Sequence, residues 1–261
     1  MDGDPTAIAV TSRYVRGRDA LLLTASFAEF YVDYYLHWMD LCRKLDPVLD
    51  ELLKDALAAL TLHLTARPIQ ESIAWTVNFQ NPLANLFVTG DSMSQTVIGR
   101  VFTEDVKEAE KSLFYSTVNR PGQPSRRSII EFEETDFLEI ATRFYEQSEQ
   151  IAARYFRLPE DSFALLVATP GCDVAWLQSL TNEDVEKIET TETLSLMEKR
   201  EFRFLCGCSV NRILPAIESM ARSDLDGLFA GEETLQITCP RCARRYNVSR
   251  ELVEAFLIRS K

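Results

Sequence analysis

Apolar positions in the first third of the chain follow two rhythms. After a short leader, Tyr14-Val15-Arg16-Gly17-Arg18 runs into Ala20 to Thr24, a continuous apolar stretch that predicts a short strand. From Ala25 to Leu45 the pattern turns helical and rich in aromatics. Asp46-Pro47 then offers an N-cap with proline at the first helical position, which predicts a second helix to about Leu64. Period-two alternation follows in Ser72 to Asn78 (Ile73, Trp75, Val77), Leu83 to Thr89 and Thr96 to Phe102, with turn signals at Asn81-Pro82 and Gly90-Asp91. Such spacing predicts an antiparallel meander. Lys111 to Val118 and Ser128 to Phe132 add strands around the loop Pro121-Gly122-Gln123-Pro124.

From Asp136 onward, Phe137, Ile140, Ala141, Phe144, Ser148, Ile151, Ala152 and Tyr155 share one helical stripe, predicting an amphipathic helix through Tyr155. Phe163 to Ala168 predicts a final buried strand, broken by Pro170-Gly171, and the domain is expected to close near Leu180. Thr181 to Lys199, rich in Glu and Thr, is expected to be a polar linker with one marginal helix.

Composition narrows the function classes. A chain of 261 residues with 46% hydrophobic residues supplies a core without staples. A formal charge of -12 and a pI near 4.8 disfavour a polyanion partner, because binding a phosphate backbone relies on clustered Lys and Arg. No nucleic acid is expected as ligand. Met1 to Pro5 is acidic with no apolar h-region after it, and the apolar stretch Ala20 to Val32 is interrupted by Glu29. The expectation is a cytoplasmic protein without a membrane partner.

Of the 6 cysteines, four arrive as two close pairs, Cys206-x-Cys208 and Cys239-x-x-Cys242. In a cytosolic chain of this length such pairs point to metal or redox chemistry rather than to structural disulfides. A structural Zn²⁺ takes four ligands in a tetrahedron, and a short loop can aim two thiolates at one ion. Cys239-Pro240-Arg241-Cys242 lies between strand-like Thr234 to Thr238 and Tyr246-Asn247-Val248, as a knuckle would, and Gly207 permits a tight turn between Cys206 and Cys208. The spacing thus assigns Zn²⁺ to Cys206, Cys208, Cys239 and Cys242, against the alternative of four unrelated thiols. Arg203, Arg212, Arg241, Arg244 and Arg245 lie near these ligands in sequence. They either favour thiolates that oxidants reach, making a sensor, or offset the charge of an inert structural site, which spacing alone favours.

Phe202-Arg203-Phe204-Leu205-Cys206-Gly207-Cys208-Ser209, with Cys239-Pro240-Arg241-Cys242 and Tyr246, resembles the zinc domain of the heat shock protein 33 family. Phe144-Tyr145-Glu146-Gln147-Ser148-Glu149-Gln150 is similar to that family's "YF-x-x-SEQ" helix, and Val15-Arg16-Gly17 is a weaker third match. The resemblance implies a redox-regulated chaperone, a holdase, that is a zinc-bound, inactive monomer when reduced. On oxidation it would form the disulfides Cys206 to Cys208 and Cys239 to Cys242, release zinc and expose apolar surface to unfolded client proteins, with a homodimer as a further oxidised state. Two departures stand out: the family's multi-helix linker is replaced by a short polar stretch before Phe202, and Ser116 to Ser128 is Pro-rich and basic where the family has a glycine-bearing loop.

The expected fold is α+β: an N-terminal mixed sheet-and-helix domain over 1–180, a polar linker over 181–201, and a small zinc-binding redox-switch domain over 202–261. The competing reading is a zinc-ribbon interaction or nucleic-acid-binding module with purely structural zinc. A zinc hydrolase fits poorly, because four cysteines leave no open coordination position; no catalytic residue is assigned and no enzyme is expected. Cys42 reads as a buried small hydrophobe on a helix and Cys172 as an exposed accessory thiol. His37 and His63 read as core or surface histidines, and Trp75, Trp176, Phe27, Phe30, Tyr31, Tyr34 and Tyr35 as core, with client binding as the alternative. Gln147 to Gln150 is assigned either a solvated helix side or a role in domain or dimer contacts.

Overall fold

A computed structural model describes residues 6–259, so the leader Met1 to Pro5 lies outside the described residues. The chain divides into two compact units, the first ending at Leu205 and the second starting at Cys206.

The first unit is built on strands β1 (Ile8–Val15), β2 (Ala20–Ser26), β3 (Ser72–Gln80), β4 (Leu83–Asp91), β5 (Thr96–Phe102), β6 (Ser112–Asn119), β7 (Arg126–Phe132), β8 (Ala153–Leu158), β9 (Ser162–Ala168) and β10 (Leu194–Phe204). They form one sheet in the order β7-β6-β3-β4-β5-β10-β1-β2-β9-β8. The expected meander is present as β3, β4 and β5, antiparallel in register from Ser72↔Asp91 and Asp91↔Thr96. Its inward positions Ile73, Trp75 and Val77 are fully buried, as period-two alternation requires.

Helix α1 (Ala28–Asp40) is followed by α2 (Pro47–Thr65), where Asp46 caps the chain by accepting from the Val48 N–H at 2.9 Å. Every residue of α2 from Asp55 to Thr65 is buried, which is what a helix apolar on all sides demands. The sheet lets α2 approach through Gly99: a Cβ there would sit 2.6 Å from Val88 Cγ1 and 3.2 Å from Leu53 Cδ1. Helix α1 is tied to α2 by Tyr34, whose hydroxyl donates to Asp50 at 2.6 Å. Phe30, Tyr34 and His37 of α1 pack their rings on Phe204.

Two expectations are corrected by the second half of this unit. The helix from Asp136 does not reach Tyr155: α3 (Phe137–Phe144) passes into a π-helical turn, Tyr145–Glu149, and ends at Gln150, whose φ of 56° is left-handed. The last apolar positions of the stripe, Ala152 and Tyr155, belong to the approach to β8 and to β8 itself, where Tyr155 donates to the Ala59 carbonyl at 3.2 Å. The second correction concerns the polar linker. After α4 (Val174–Ser179), residues 181–201 form α5 (Asn182–Glu186), α6 (Ile188–Thr191) and most of β10. Val185 and Ile188 are 3% exposed and share a hydrophobic cluster with Val15, Leu22, Phe156 and Leu166. Strand β10 pairs with β1 from Ile8↔Phe202 to Val15↔Leu194, so the supposed linker is part of the sheet. The unit boundary therefore falls after Leu205, and β9 is not the final strand.

The second unit contains α7 (Val210–Ser223), α8 (Leu225–Phe229), the hairpin of β11 (Thr234–Thr238) and β12 (Arg245–Ser249), and α9 (Arg250–Arg259). Its core is small, with Leu214, Ile217, Ala221, Phe229, Val248 and Val253 buried.

Candidate metal centre

The hairpin β11–β12 presents Cys239 and Cys242 as the expected knuckle. Cys239 N–H donates to the Arg244 carbonyl at 2.8 Å and Ala243 N–H donates to the Cys239 carbonyl at 3.0 Å, closing the turn with Ala243 left-handed at φ 63°. Backbone N–H groups of Arg241 and Arg244 donate towards the sulfurs of Cys239 and Cys242, the second shell that orients thiolate ligands. The first pair precedes α7. Gly207 has φ 61°, the left-handed turn that glycine takes without strain, and a Cβ there would lie 3.1 Å from Arg212 Nη1. Arg212 thus covers the loop between Cys206 and Cys208.

These two loops bring all four sulfurs within 4.8 Å of one another. The Cys206–Cys239 and Cys208–Cys242 sulfurs lie 3.7 Å and 3.5 Å apart, and none of the four is in a disulfide. A tetrahedron with Zn–S bonds of about 2.3 Å has edges of about 3.8 Å, so the donor set and its spacing fit a four-thiolate metal site. The four cysteines can hold a metal ion. Their short contacts run between the pairs, as tetrahedral edges do, while the pairings Cys206 with Cys208 and Cys239 with Cys242 remain within the same span.

The electrostatics divide the four sulfurs, with Cys239 and Cys208 held down and Cys206 and Cys242 pushed up. Hydrogen bonds with Cys206, Cys208 and Cys242 hold the Cys239 thiol well below the ordinary range, and hydrogen bonding with Cys208 pushes Cys206 up. No Asp or Glu occurs from Cys206 to Ile217 or from Thr234 to Ser249, so the sequence around both pairs offers only positive charge. Tyr246, on β12, places its hydroxyl 2.9 Å from Cys208 Sγ. Burial first, then this bond, pushes the Tyr246 phenol up, so it stays protonated.

The other candidates lie elsewhere and are not assembled into a site. Cys42 is exposed, in a turn with φ 52° beyond the end of α1, not buried on a helix as expected. The helix ends two residues earlier, at Asp40, and a left-handed residue cannot continue it. Cys172 is half-buried; burial, then Asp173 and Asp19, push its thiol up, the opposite of activation. His63 is buried with Nδ1 2.7 Å from the Tyr145 hydroxyl, and burial, then Arg67 and Arg126, pushes it down to about 3, so it is a neutral core residue. His37 is a core residue packed on Trp38 and Phe204. Trp75, Phe27, Phe30, Tyr31 and Tyr34 are buried, whereas Tyr35 is exposed and Trp176 half-buried beneath Arg18.

Sequence reasoning overlooked a second cluster. Glu71, 1% exposed, bonds Arg67 Nε at 3.0 Å and Arg120 Nη2 at 2.5 Å, and Glu149 bonds Arg67 Nη1 at 2.8 Å and Arg126 Nη2 at 3.1 Å. The network ties the end of α2 to β6, β7 and the π-helical turn. Glu149 belongs to the Gln147 to Gln150 segment, so that segment's acid anchors the first unit internally. The i, i+4 spacing of Arg67 and Glu71 was a readable signal, but the partners 49 or more residues away from Glu71 and 82 from Arg67 were not.

Comparison with known proteins bears on the whole chain. Residues 164–249 match the family described as Hsp33 protein. The 33 kDa chaperonin of Nitrosococcus oceani is 22% identical over 237 residues, covering 80% of this chain and 82% of that protein. That of Aliivibrio salmonicida is 26% identical over 229 residues, covering 75% and 78%. The fold matches the crystal structure of the 33 kDa chaperonin of Thermotoga maritima with a TM-score of 0.72 and 15% identity, over 98% of this chain and 99% of that one. With relatives along most of its length, that shared fold and a four-cysteine centre in its second unit, the chain is similar throughout to the heat shock protein 33 family.

Proposed function

We propose that this protein is a redox-regulated holdase: reduced, it holds Zn²⁺ through Cys206, Cys208, Cys239 and Cys242; oxidised, it binds unfolded client proteins. The observation that carries the reading is the convergence of four cysteine sulfurs within 4.8 Å inside a unit with a small core. Its relatives carry the name 33 kDa chaperonin, which supports a chaperone that works by binding rather than by catalysis. Among the described residues no helix is long and apolar enough to cross a membrane. The reading includes a cytoplasmic protein, a homodimer of the oxidised form, and no nucleic-acid partner.

Bound zinc supplies the cross-link that orders the second unit and keeps its sulfurs as thiolates. The chain's own part is to present those thiolates to an oxidant. Gly207 folds the first pair inward, Arg212 brings positive charge over it, and Tyr246 and the knuckle amides hold the sulfurs in place. Each pair that becomes a disulfide gives up two electrons and two metal-binding thiolates. The second unit then retains a core of Leu214, Ile217, Ala221, Phe229, Val248 and Val253, little for a domain of its length, and its apolar groups become available to clients.

Reduced protein is expected to contain one equivalent of zinc, and hypochlorite is expected to release it into a colorimetric chelator while all four thiols are lost. Peptide mapping under non-reducing conditions should recover Cys206 linked to Cys208 and Cys239 linked to Cys242. Zinc retained after full oxidation, or thiols lost without metal in the starting protein, would contradict the reading.

A further inference from the structure

The phenol of Tyr246 meets Cys208 twice, 2.9 Å from its Sγ and 2.9 Å from its carbonyl oxygen. The ring is partly buried and packs against the small core of the second unit, so the hydroxyl is held in place before any ligand chemistry begins. A tyrosine hydroxyl has one hydrogen to give. When Cys208 is a thiol, S–H donates to Oη and O–H donates to the carbonyl, and every group is satisfied. When Cys208 is a thiolate, as a metal ligand is, the sulfur has no hydrogen and the phenol becomes the donor, drawn to the charged acceptor.

We propose that Tyr246 is a positioning residue that restrains Cys208 and, by donating its hydroxyl hydrogen to the thiolate, slows oxidation at that sulfur relative to Cys206, Cys239 and Cys242. This deepens the redox reading of the centre and rests on it. With hydrogen peroxide as oxidant, a thiolate attacks one peroxide oxygen: an S–O bond forms, the O–O bond breaks, hydroxide leaves and the sulfur becomes a sulfenic acid. A second thiolate then attacks that sulfur, forming the S–S bond and expelling hydroxide, so two electrons pass from the pair of sulfurs to the peroxide. The electron pair that makes the first S–O bond is the one a hydrogen-bond donor engages. At Cys208 the donor is a phenol fixed by the core.

The test treats reduced, zinc-loaded protein with limiting hydrogen peroxide in the presence of excess dimedone, which caps a sulfenic acid before a second thiolate reaches it, and reads the capped fraction of each cysteine by mass spectrometry. In Tyr246→Phe, the share of capped sulfenic acid at Cys208 is expected to rise roughly tenfold relative to the other three sulfurs, the lower end of the scale of one hydrogen bond to a charged group. Replacing Tyr246 with 3-fluorotyrosine, a stronger donor that keeps the hydroxyl and nearly the same shape, should lower that share below wild type, and this variant carries the test if Tyr246→Phe fails to fold. A merely structural role would speed all four cysteines alike. Equal acceleration, or an unchanged Cys208 share with zinc bound, overturns the proposal alone. Wild-type protein without bound zinc would overturn the metal-centre reading and the proposal with it.

Discussion

Replacing Cys239 with Ser is expected to strip the protein of zinc and unfold the second unit while leaving the first intact. A serine hydroxyl stays protonated at neutral pH and is a poor fourth ligand, and structural zinc contributes an apparent ~10–16 kcal/mol to small zinc domains. The buried apolar set of the second unit, Leu214, Ile217, Ala221, Phe229, Val248 and Val253, is too small to replace that contribution. Hydrogen exchange should therefore lose protection from Cys206 onward. It should not lose it in Phe202 and Phe204, which are 0% and 4% exposed within the sheet of the first unit. Proteolysis of the variant should cut after Leu205 and spare 181–201. Full zinc occupancy with unchanged protection would refute the ligand assignment, and exchange spreading into β10 would show that the two units do not unfold separately.

The second large effect is expected at Glu71. Its carboxylate, 1% exposed, lies between the guanidinium groups of Arg67 and Arg120. Glu71→Gln leaves those charges facing a neutral amide and should destabilise the first unit by about 3 kcal/mol, lowering Tm by roughly 6–12 °C. The pH dependence carries a sign. Burial alone would raise the Glu71 pKa, but the hydrogen bonds and charges of Arg67 and Arg120 outweigh it and the group is held below its ordinary value. Stabilisation from such a carboxylate is complete above its unfolded value, near pH 4.3, and is lost as pH falls through the folded value. The gap between wild type and Glu71→Gln should therefore be constant near neutrality and close below about pH 4. A gap that widens on acidification would contradict the assignment.

Local chemistry decided what the sequence made legible. Asp46-Pro47 opened α2 where expected, because cap and proline act within one turn. The alternation of Ile73, Trp75 and Val77 announced β3, because one face of that strand is buried and the other is not. The cysteine pairs were legible because two residues in each short loop must face one point. Non-local pairing stayed hidden. Strand β10 finds its partner β1 at Ile8↔Phe202, nearly two hundred residues away, and its charged residues Glu198, Lys199, Arg200 and Glu201 suggested a solvated linker. One local clue was passed over there: Thr181 and Asp184 form a capping box, with Thr181 N–H donating to Asp184 Oδ2 at 2.8 Å, a sequence signature of a helix start rather than of a linker. The end of α3 was misplaced for a different reason. Ile151, Ala152 and Tyr155 continue the helical period, but Gln150 takes a left-handed conformation that no apolar count predicts.

The central claim is that oxidation of the four-cysteine centre switches on client binding. Light scattering of a thermally unfolding client protein tests it most directly, with equal amounts of reduced protein, hypochlorite-treated protein, and hypochlorite-treated protein re-reduced in the presence of zinc. The account predicts that only the oxidised sample suppresses aggregation and that reduction with zinc restores the inactive state. Aggregation proceeding equally in all three samples, with zinc released and disulfides formed in the oxidised one, would contradict it and leave the centre a purely structural one.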